Sequence, residues 1–523
     1  MKDQTPNAYD EVLYPSLAHV QTHPDRLATL AKLFGMEPEP VERCRVLELG
    51  CGDGANIIPM AYALPGSTFL GIDLATRPIL EGNRAIAQLG LQNVRLEQRD
   101  IADFNAGHGL FDYIIAHGVY SWVPAGVRDR LLAVCHDNLS ANGVAYVSYN
   151  AYPGCHLRDM TRGMMLFHVR GVTDPGEKIA QGRALLKFLA ASKKEPDLYR
   201  MMLEKELEHV MERSDGAFYH DDLSAIAHPV YLHQFLAHAA EHGLQFLGDA
   251  MFNEMQPEDY TPAVLSALEE LDDDIIAREQ YLDFLLCRRF RRTLLCHREV
   301  LLDHRIRPRV IAGFYAAADV RPESPEPDIP SPVIEEFQGQ KGASVQTNRP
   351  LDKAALLHLS RCWPHSVRFA DLLAAARRAL SEQTQDSDEE DSAALCNLLA
   401  RAYAAGVVEL HVWAPHLVTT VSDRPIASPI ARLESRRGER VTTLRHTGLE
   451  LSDQNSRDLL ALLDGTRDFE ALVDSLATLV KAGDAQIRRD GEPVTEPAQV
   501  RSIIASELPL ALERLARAGL LVG

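Results

Sequence analysis

Glycines occupy alternate positions 50, 52 and 54 in the stretch Arg45-Val-Leu-Glu-Leu-Gly-Cys-Gly-Asp-Gly-Ala-Asn56. Val46 to Leu49 read as a buried strand, and the residues after Gly54 read as a helix. A glycine turn between them lets a ligand meet backbone N–H groups at the helix N-terminus. The turn also satisfies the dinucleotide fingerprint, so the neighbouring side chains must decide the ligand. Glu48 stands inside the strand and Asp53 inside the turn. A pyrophosphate would meet both carboxylates, at a cost of several kcal/mol at an effective dielectric of roughly 20. A ligand with a cationic amino group is favoured instead. S-Adenosylmethionine has an amino-acid end, a sulfonium and no phosphate.

Later segments end in residues that suit such a ligand. Thr68 to Ala75 reads as a second strand carrying Asp73, 19 residues past Gly54. That is the usual distance for an acid that grips ribose hydroxyls. Val94 to Phe104 reads as a third strand ending in Asp100, an acceptor for the adenine amino group, with the Ile101 N–H facing a ring nitrogen. Phe111 to Val123 reads as a fourth, whose end at Ala116-His117-Gly118 would lie beneath the methionine part. Gly143 to Gly154 reads as a fifth. The expected cofactor set is Glu48, Gly50, Cys51, Gly52, Gly54, Asn56, Asp73, Leu74, Asp100, Ile101 and His117.

In this order the motifs Glu-Leu-Gly-Cys-Gly-Asp-Gly, Gly-Ile-Asp, Arg-Asp-Ile and Phe-Asp-Tyr-Ile-Ile-Ala-His resemble class I S-adenosylmethionine-dependent methyltransferases. The runs YDEVLYPSLAHVQTHPDRL, IIAHGVYSWVP, VAYVSYNAYPG and LHQFLAHAAEHGLQFLGDA are similar to bacterial methyltransferases that carry a methyltransferase regulatory domain. The outer-membrane-protein lysine methyltransferases belong to that wider group. The resemblance implies an enzyme that uses S-adenosylmethionine to methylate lysine side chains of protein. A small-molecule or lipid methyltransferase is one alternative. A non-catalytic cofactor-binding regulatory protein is another, and the intact glycines and acids speak against it.

Ligands of doubly wound sheets bind at the carboxyl ends of strands. His117, Tyr120, Ser121 and Trp122 follow the fourth strand; Asn150, Tyr152 and His156 follow the fifth. Tyrosine rings there can hold an amine by cation–π contact worth roughly 0.5–2 kcal/mol. Tyr120, Tyr152 and Asn150 are therefore the catalytic candidates, and no residue qualifies as a general base. A lysine acceptor arrives protonated and must lose a proton before it attacks. His238 and His242 are four apart, but no third ligand is evident. They read as exposed helix histidines, and no metal is expected.

The elements that position these residues imply an α/β fold. The expectation is a Rossmann-like, doubly wound, seven-stranded sheet with a helical insertion, followed by two smaller α+β winged-helix-like modules. The expected boundaries are a helical N-terminal cap to 40 and a cofactor-binding core over 41–154. A helical insertion over 155–215 suits a lid or a homodimer contact, and 216–305 completes the sheet. A Pro-rich linker over 306–332 leads to modules over 333–415 and 425–523, which resemble each other as a weak repeat. Tyr9, Tyr14 and His23 are expected in the cap. Arg288 to Arg292 reads as a strand with arginine on its wet face, and Asp386 to Asp391 as a solvated loop.

The 523 residues exceed one ordinary domain. A net charge of −20 opposes nucleic-acid binding and favours cationic partners such as lysine-rich polypeptide. The eight cysteines form no C-x-x-C pair, so neither a disulfide framework nor a zinc knuckle is indicated. No secretory signal or membrane span is recognisable, and the cytoplasm is the expected location.

Overall fold

The computed structural model describes residues 8–15, 17–192, 194–195, 197–256, 260–380, 387–483, 488–489, 492–494 and 496–523. The chain forms two compact units. Leu30–Ile57 and Gly66–His304, with the N-terminal residues to 16, make the first. Leu17–Thr29, Ile58–Pro65 and Arg305–Gly523 make the second. Among the described residues no helix is long and apolar enough to cross a membrane.

The first unit is built on seven strands: β1 Arg45–Leu49, β2 Thr68–Asp73, β3 Val94–Gln98, β4 Phe111–Ala116, β5 Leu139–Asn150, β6 Leu244–Asp249 and β7 Phe290–His297. Their order is β3-β2-β1-β4-β5-β7-β6, with β7 antiparallel to both its neighbours. Central parallel strands are covered on both faces and read as unbroken apolar runs. In β1, Val46, Leu47 and Leu49 are fully buried, and Glu48 alone interrupts them. The chain's first helices are α1 Ala8–Glu11, α2 Pro24–Leu33, α3 Ile57–Ala63, α4 Thr76–Leu89 and α5 Ala125–Asp137. Helix α4 buries Ile79, Gly82, Ala85 and Ile86 on one stripe and ends at Gly90 in the left-handed region. A Cβ on Gly82 would lie 2.2 Å from the Asp53 carbonyl, so this glycine lets α4 press against the turn after β1.

The insertion after β5 consists of α6 Cys155–His168, α7 Pro175–Ala190, α8 Leu198–Glu212 and α9 Asp215–Asp222. It has its own core of Met165, Ile179, Leu186, Val210 and Phe218. Helices α10 Leu232–Glu241, α11 Pro262–Glu269 and α12 Ile275–Leu286 complete the unit.

One expectation is reversed in β7. Helix α12 packs on the face of this strand that carries Arg291, so Arg291 is fully buried, while Arg292 on the opposite face is partly exposed. Its guanidinium is met by Asp283 and Glu279 of α12, each within 3.0 Å. Arg288 is also buried and pairs with Asp283 at 2.6 Å.

The second unit continues the strands with β8 Tyr315–Ala317, β9 Arg321–Pro322, β10 Glu335–Gln338, β11 Ser344–Thr347, β12 Val367–Arg368 and β13 Glu409–His411. They form two sheets, β11-β10-β9 and β12-β8-β13. The segment read as a linker therefore supplies strands β8 and β9. Pro322 is compatible with this because β9 is an edge strand, where a missing N–H is tolerated. Helices α13 Pro350–Cys362, α14 Phe369–Leu380 and α15 Asp388–Ala404 accompany them. Ser387 caps α15 with Glu390 in a capping box, and Asp391 is buried against Arg377 at 2.8 Å. The acidic run is thus a helix N-terminus, not a solvated loop; Asp386 lies outside the described residues.

After α16 Pro429–Ser435 come β14 Arg440–Thr442, β15 Gly448–Glu450, α17 Gln454–Leu462, α18 Phe469–Ala482 and α19 Pro497–Arg517. Gly406 and Gly519, at φ 69° and 71°, turn α15 and α19 into their closing extended segments. The expected N-terminal cap is divided. His23 is buried against Trp413 and His446, and the Asp25 carboxylate accepts the Val412 and Trp413 N–H groups at 2.8 and 2.9 Å. Both residues therefore belong to the second unit.

Candidate active site

Gly50, Gly52 and Gly54 all adopt positive φ, at 74°, 56° and 79°. Side chains are strained there, and a Cβ on Gly50 would also strike Val119 at 2.6 Å. The Gly50 and Cys51 N–H groups both donate to the Ile72 carbonyl, which ties the end of β1 to β2. The Gly52 N–H donates to Asp73 Oδ2 at 2.9 Å, and the Ala75 N–H to Oδ1 at 2.8 Å. Asp73 is thereby fixed at the tip of β2. Burial still pushes its carboxyl above the usual range, against the pull of these two bonds.

Glu48 is 3 % exposed. Its Oε1 accepts from Asn56 Nδ2 at 2.7 Å, while Oε2 is buried with no hydrogen-bond partner among the described residues. Burial pushes the carboxyl up to about 8. Cys51 is buried beside it, and burial holds the thiol well above its ordinary value. Leu74 is 56 % exposed next to Asp73, an apolar surface available to a base. Asp100 lies beyond β3. It caps the short turn Ile101–Asp103 by accepting the Ala102 N–H at 2.9 Å, and Ile101 is buried. His117, past the end of β4, has Nδ1 within 2.9 Å of the Tyr146 hydroxyl and 3.2 Å of Ser148 Oγ. The same serine accepts the Gly118 N–H at 2.8 Å. The structure brings these residues to the carboxyl ends of adjacent strands β1, β2, β3 and β4.

The N-terminal segment approaches the same edge. Asp10 accepts the Arg77 N–H in the first turn of α4, and the Tyr9 ring stacks on His220 at 4.0 Å. Burial, then the charges of Asp221 and Asp73, pushes the Tyr9 phenol up to about 12. The Tyr14 hydroxyl donates to Asp221 at 3.4 Å. His220 and Asp221 carried no motif that could have singled them out.

The acceptor candidates separate. Tyr120 is 2 % exposed, packs edge-on against Phe235 at 5.0 Å, and places its hydroxyl 2.9 Å from His238 Nδ1. Tyr120 is thus packed beneath α10 at the end of β4. Asn150 is buried, its N–H bonded to Ser121 Oγ and its carbonyl to the Val230 N–H. Tyr152 remains partly open. It stacks on His156 at 4.0 Å, lies 5.4 Å from the Tyr231 ring, and donates its hydroxyl to Asp159 Oδ2 at 2.7 Å. Burial and the Asp159 bond raise the Tyr152 phenol far above neutrality, so it donates and does not act as a base. Asp159 and Tyr231 were not singled out from sequence.

These residues fit S-adenosylmethionine. The orphaned, buried Glu48 carboxyl suits a cationic amino group, the glycine turn leaves room for backbone approach, and Asp73 suits a diol. The raised Glu48 carboxyl yields a pH prediction. Between 4.5 and about 8 the folded chain holds a proton on Glu48 that the unfolded chain lacks, so this group lowers stability as pH rises through that window. Glu48→Gln should therefore stabilise the cofactor-free protein at pH 8 by roughly 1 kcal/mol or more, seen as a higher melting temperature. Cofactor binding needs the charged form. Its affinity should climb with pH by at most about tenfold per unit below the Glu48 value, and Glu48→Gln should flatten that slope. Calorimetry from pH 6 to 8 checks both, and an unchanged slope in the variant would remove Glu48 from the amino-group site.

Comparison with known proteins agrees with this geometry. The methyltransferase domain family matches residues 47–145. The family described as a predicted methyltransferase regulatory domain matches 214–297, and the PKMT C-terminal winged helix domain matches 423–520. The uncharacterized protein RP789 of Rickettsia prowazekii is 32% identical over 526 residues, covering 99% of this chain and 94% of that protein. The solved structure of PKMT2 from Rickettsia typhi in complex with AdoHcy is 29% identical, covers 98% of this chain and 100% of its own, and superposes with a TM-score of 0.87. The fold and site define a class I S-adenosylmethionine-dependent methyltransferase. Within that class, the chain belongs to the family of the Rickettsia prowazekii protein RP789.

Proposed function

We propose that the methyl acceptor is a lysine side chain of a protein. The observation that carries this reading is the open cluster of Tyr152, His156 and Tyr231 past β5, with the Asp159 carboxylate bonded to Tyr152. Aromatic faces with a nearby carboxylate suit an amine. The likeness to PKMT2 over the whole chain and the net charge of −20 support the same reading.

S-Adenosylmethionine, when bound, supplies an electrophilic methyl group on a sulfonium. Glu48 and Asn56 would hold its amino-acid end, Asp73 its ribose, and Asp100, Ile101 and Leu74 its adenine. His117 would line the methionine part, fixed by Tyr146 and Ser148. Alignment is this chain's main contribution, since an aligned encounter removes much of the entropic barrier. Tyr152 and Tyr231 hold the incoming amine, and Asp159 fixes the Tyr152 ring. The lysine ammonium loses its proton to water before the amine attacks.

Labelled cofactor, protein substrate and mass spectrometry test this reading. Methyl groups are expected on lysine. Label confined to extractable lipids or metabolites would refute the proposal. Tyr152→Ala should lower kcat/KM for protein by roughly 2- to 30-fold, the worth of one cation–π contact, with cofactor affinity unchanged.

A further inference from the structure

A second constellation lies where α10 faces α5. The sequence suggested exposed helix histidines here. His238 and His242 are instead only 24 % and 18 % exposed at their side chains, and both face Asp129 of α5. His242 Nε2 lies 3.0 Å from Asp129 Oδ1, and His238 Nε2 lies 3.5 Å from the same atom. All three donor atoms fall within 4.8 Å of one another. The two imidazoles share a face because they are four residues apart across the last turn of α10. The carboxylate comes from a helix more than 100 residues earlier, so spacing along the chain could not reveal it.

We propose that Asp129, His238 and His242 form a binding site for a zinc-class divalent ion, with water completing the coordination. Donors around a tetrahedral zinc, at bond lengths near 2.1 Å, lie roughly 3.4 Å apart. The observed separations span that value, and small rotations about the side-chain torsions suffice. Two imidazoles with one carboxylate favour borderline first-row ions over calcium or magnesium, which prefer all-oxygen shells. The outer contacts agree. Tyr120 places its hydroxyl 2.9 Å from His238 Nδ1, which holds that ring with Nε2 toward Asp129. Ligating histidines ordinarily have such a partner on the second nitrogen. Asp129 itself is 62 % exposed at the side chain, so the site is open to ions from solvent.

Binding would clamp α5 to α10. Through Tyr120 it would also brace the turn Tyr120–Trp122, which begins three residues after His117. The ion thus has a structural role beside the catalytic edge, and methyl transfer is not routed through it.

The test uses the full chain, stripped with chelator and titrated with Zn2+ by calorimetry at pH 7.5, and with Co2+ by visible absorption. One ion per chain, the absorption bands of tetrahedral cobalt and a rise in melting temperature with zinc are expected. His242→Ala and Asp129→Asn should each weaken zinc binding at least tenfold and abolish the melting shift. Tyr120→Phe keeps all three ligands and should weaken binding by roughly 10-fold, as loss of an outer-shell partner does. Binding of S-adenosylhomocysteine by each variant confirms that it is folded, and Asp129→Asn, on an exposed side chain, covers the case in which His242→Ala does not fold. If the wild type binds no zinc, or if wild type and the folded ligand variants bind it equally, the site is a metal-free ion pair and the proposal is wrong.

Discussion

Arg291→Met should destabilise the first unit by about 3–5 kcal/mol, the usual cost of removing one partner from a buried ionic group. Arg291 is fully buried, and so are the carboxylates around it: Asp283, Glu279 and Asp249. Its Nε meets both Asp283 oxygens at 3.0 Å, one terminal nitrogen meets Glu279 Oε2 at 3.0 Å, and the other lies 3.6 Å from Asp249. Removing the cation leaves these acids in a dry interior. Burial already pushes Glu279 and Asp283 upward, and the arginine is what pulls them back. In the variant both should take up protons and neutralise. A raised acid lowers stability as pH increases, so the loss should be larger at pH 8 than at pH 6. Combining Arg291→Met with Glu279→Gln and Asp283→Asn removes the charges together and should recover most of the loss. Scanning calorimetry at the two pH values reads all of this. A loss below about 1 kcal/mol at pH 8 would mean that water or rearrangement compensates the acids.

This network also marks a limit of the sequence. Arg-Arg-Phe-Arg-Arg reads as a wet strand because alternation places arginine on one face. That rule holds for a strand with one solvated face, but the face of β7 that carries Arg291 is covered by α12. The available signal was Glu279 and Asp283, four apart and so on one face of α12, which suits a cation against that face. Other features had no local signal. Asp25 and His23 join the second unit through contacts with Trp413 and His446, and Asp129 meets His238 and His242, all across long sequence separations. The linker reading did not anticipate β8 and β9, because it rested on proline's exclusion from helices and central strands, and β9 is an edge strand.

The cofactor edge was legible for the opposite reason. Its chemistry is written in short segments: three glycines that must take positive φ, an acid inside β1, and acids at or just past the ends of β2 and β3. Each is a backbone or charge requirement that few other residues satisfy. The acceptor side was less legible, because rings after β4 and β5 look alike in sequence. Only packing against α10 distinguishes Tyr120, buried on Phe235, from Tyr152, which stays open beside Tyr231.

Asp73→Ala should weaken S-adenosylmethionine binding by about 1.5–3 kcal/mol, roughly 10- to 150-fold in Kd. Two contributions combine. The carboxylate is placed to accept the ribose hydroxyls, and it already accepts the Gly52 and Ala75 N–H groups. Alanine therefore removes a ligand contact and also releases the middle glycine of the turn, whose N–H loses its partner. Asp73→Asn separates the two. Its amide keeps one acceptor oxygen for a backbone N–H, but its NH2 cannot accept from a second donor. If positioning of the turn dominates, the asparagine variant should retain most of the affinity. If the ribose grip dominates, it should fall nearly as far as alanine. Calorimetric titration with S-adenosylhomocysteine gives both numbers without turnover. Binding unchanged in Asp73→Ala would move the ribose to another residue, and the turn's hold on Gly52 would then be the only remaining role for this acid.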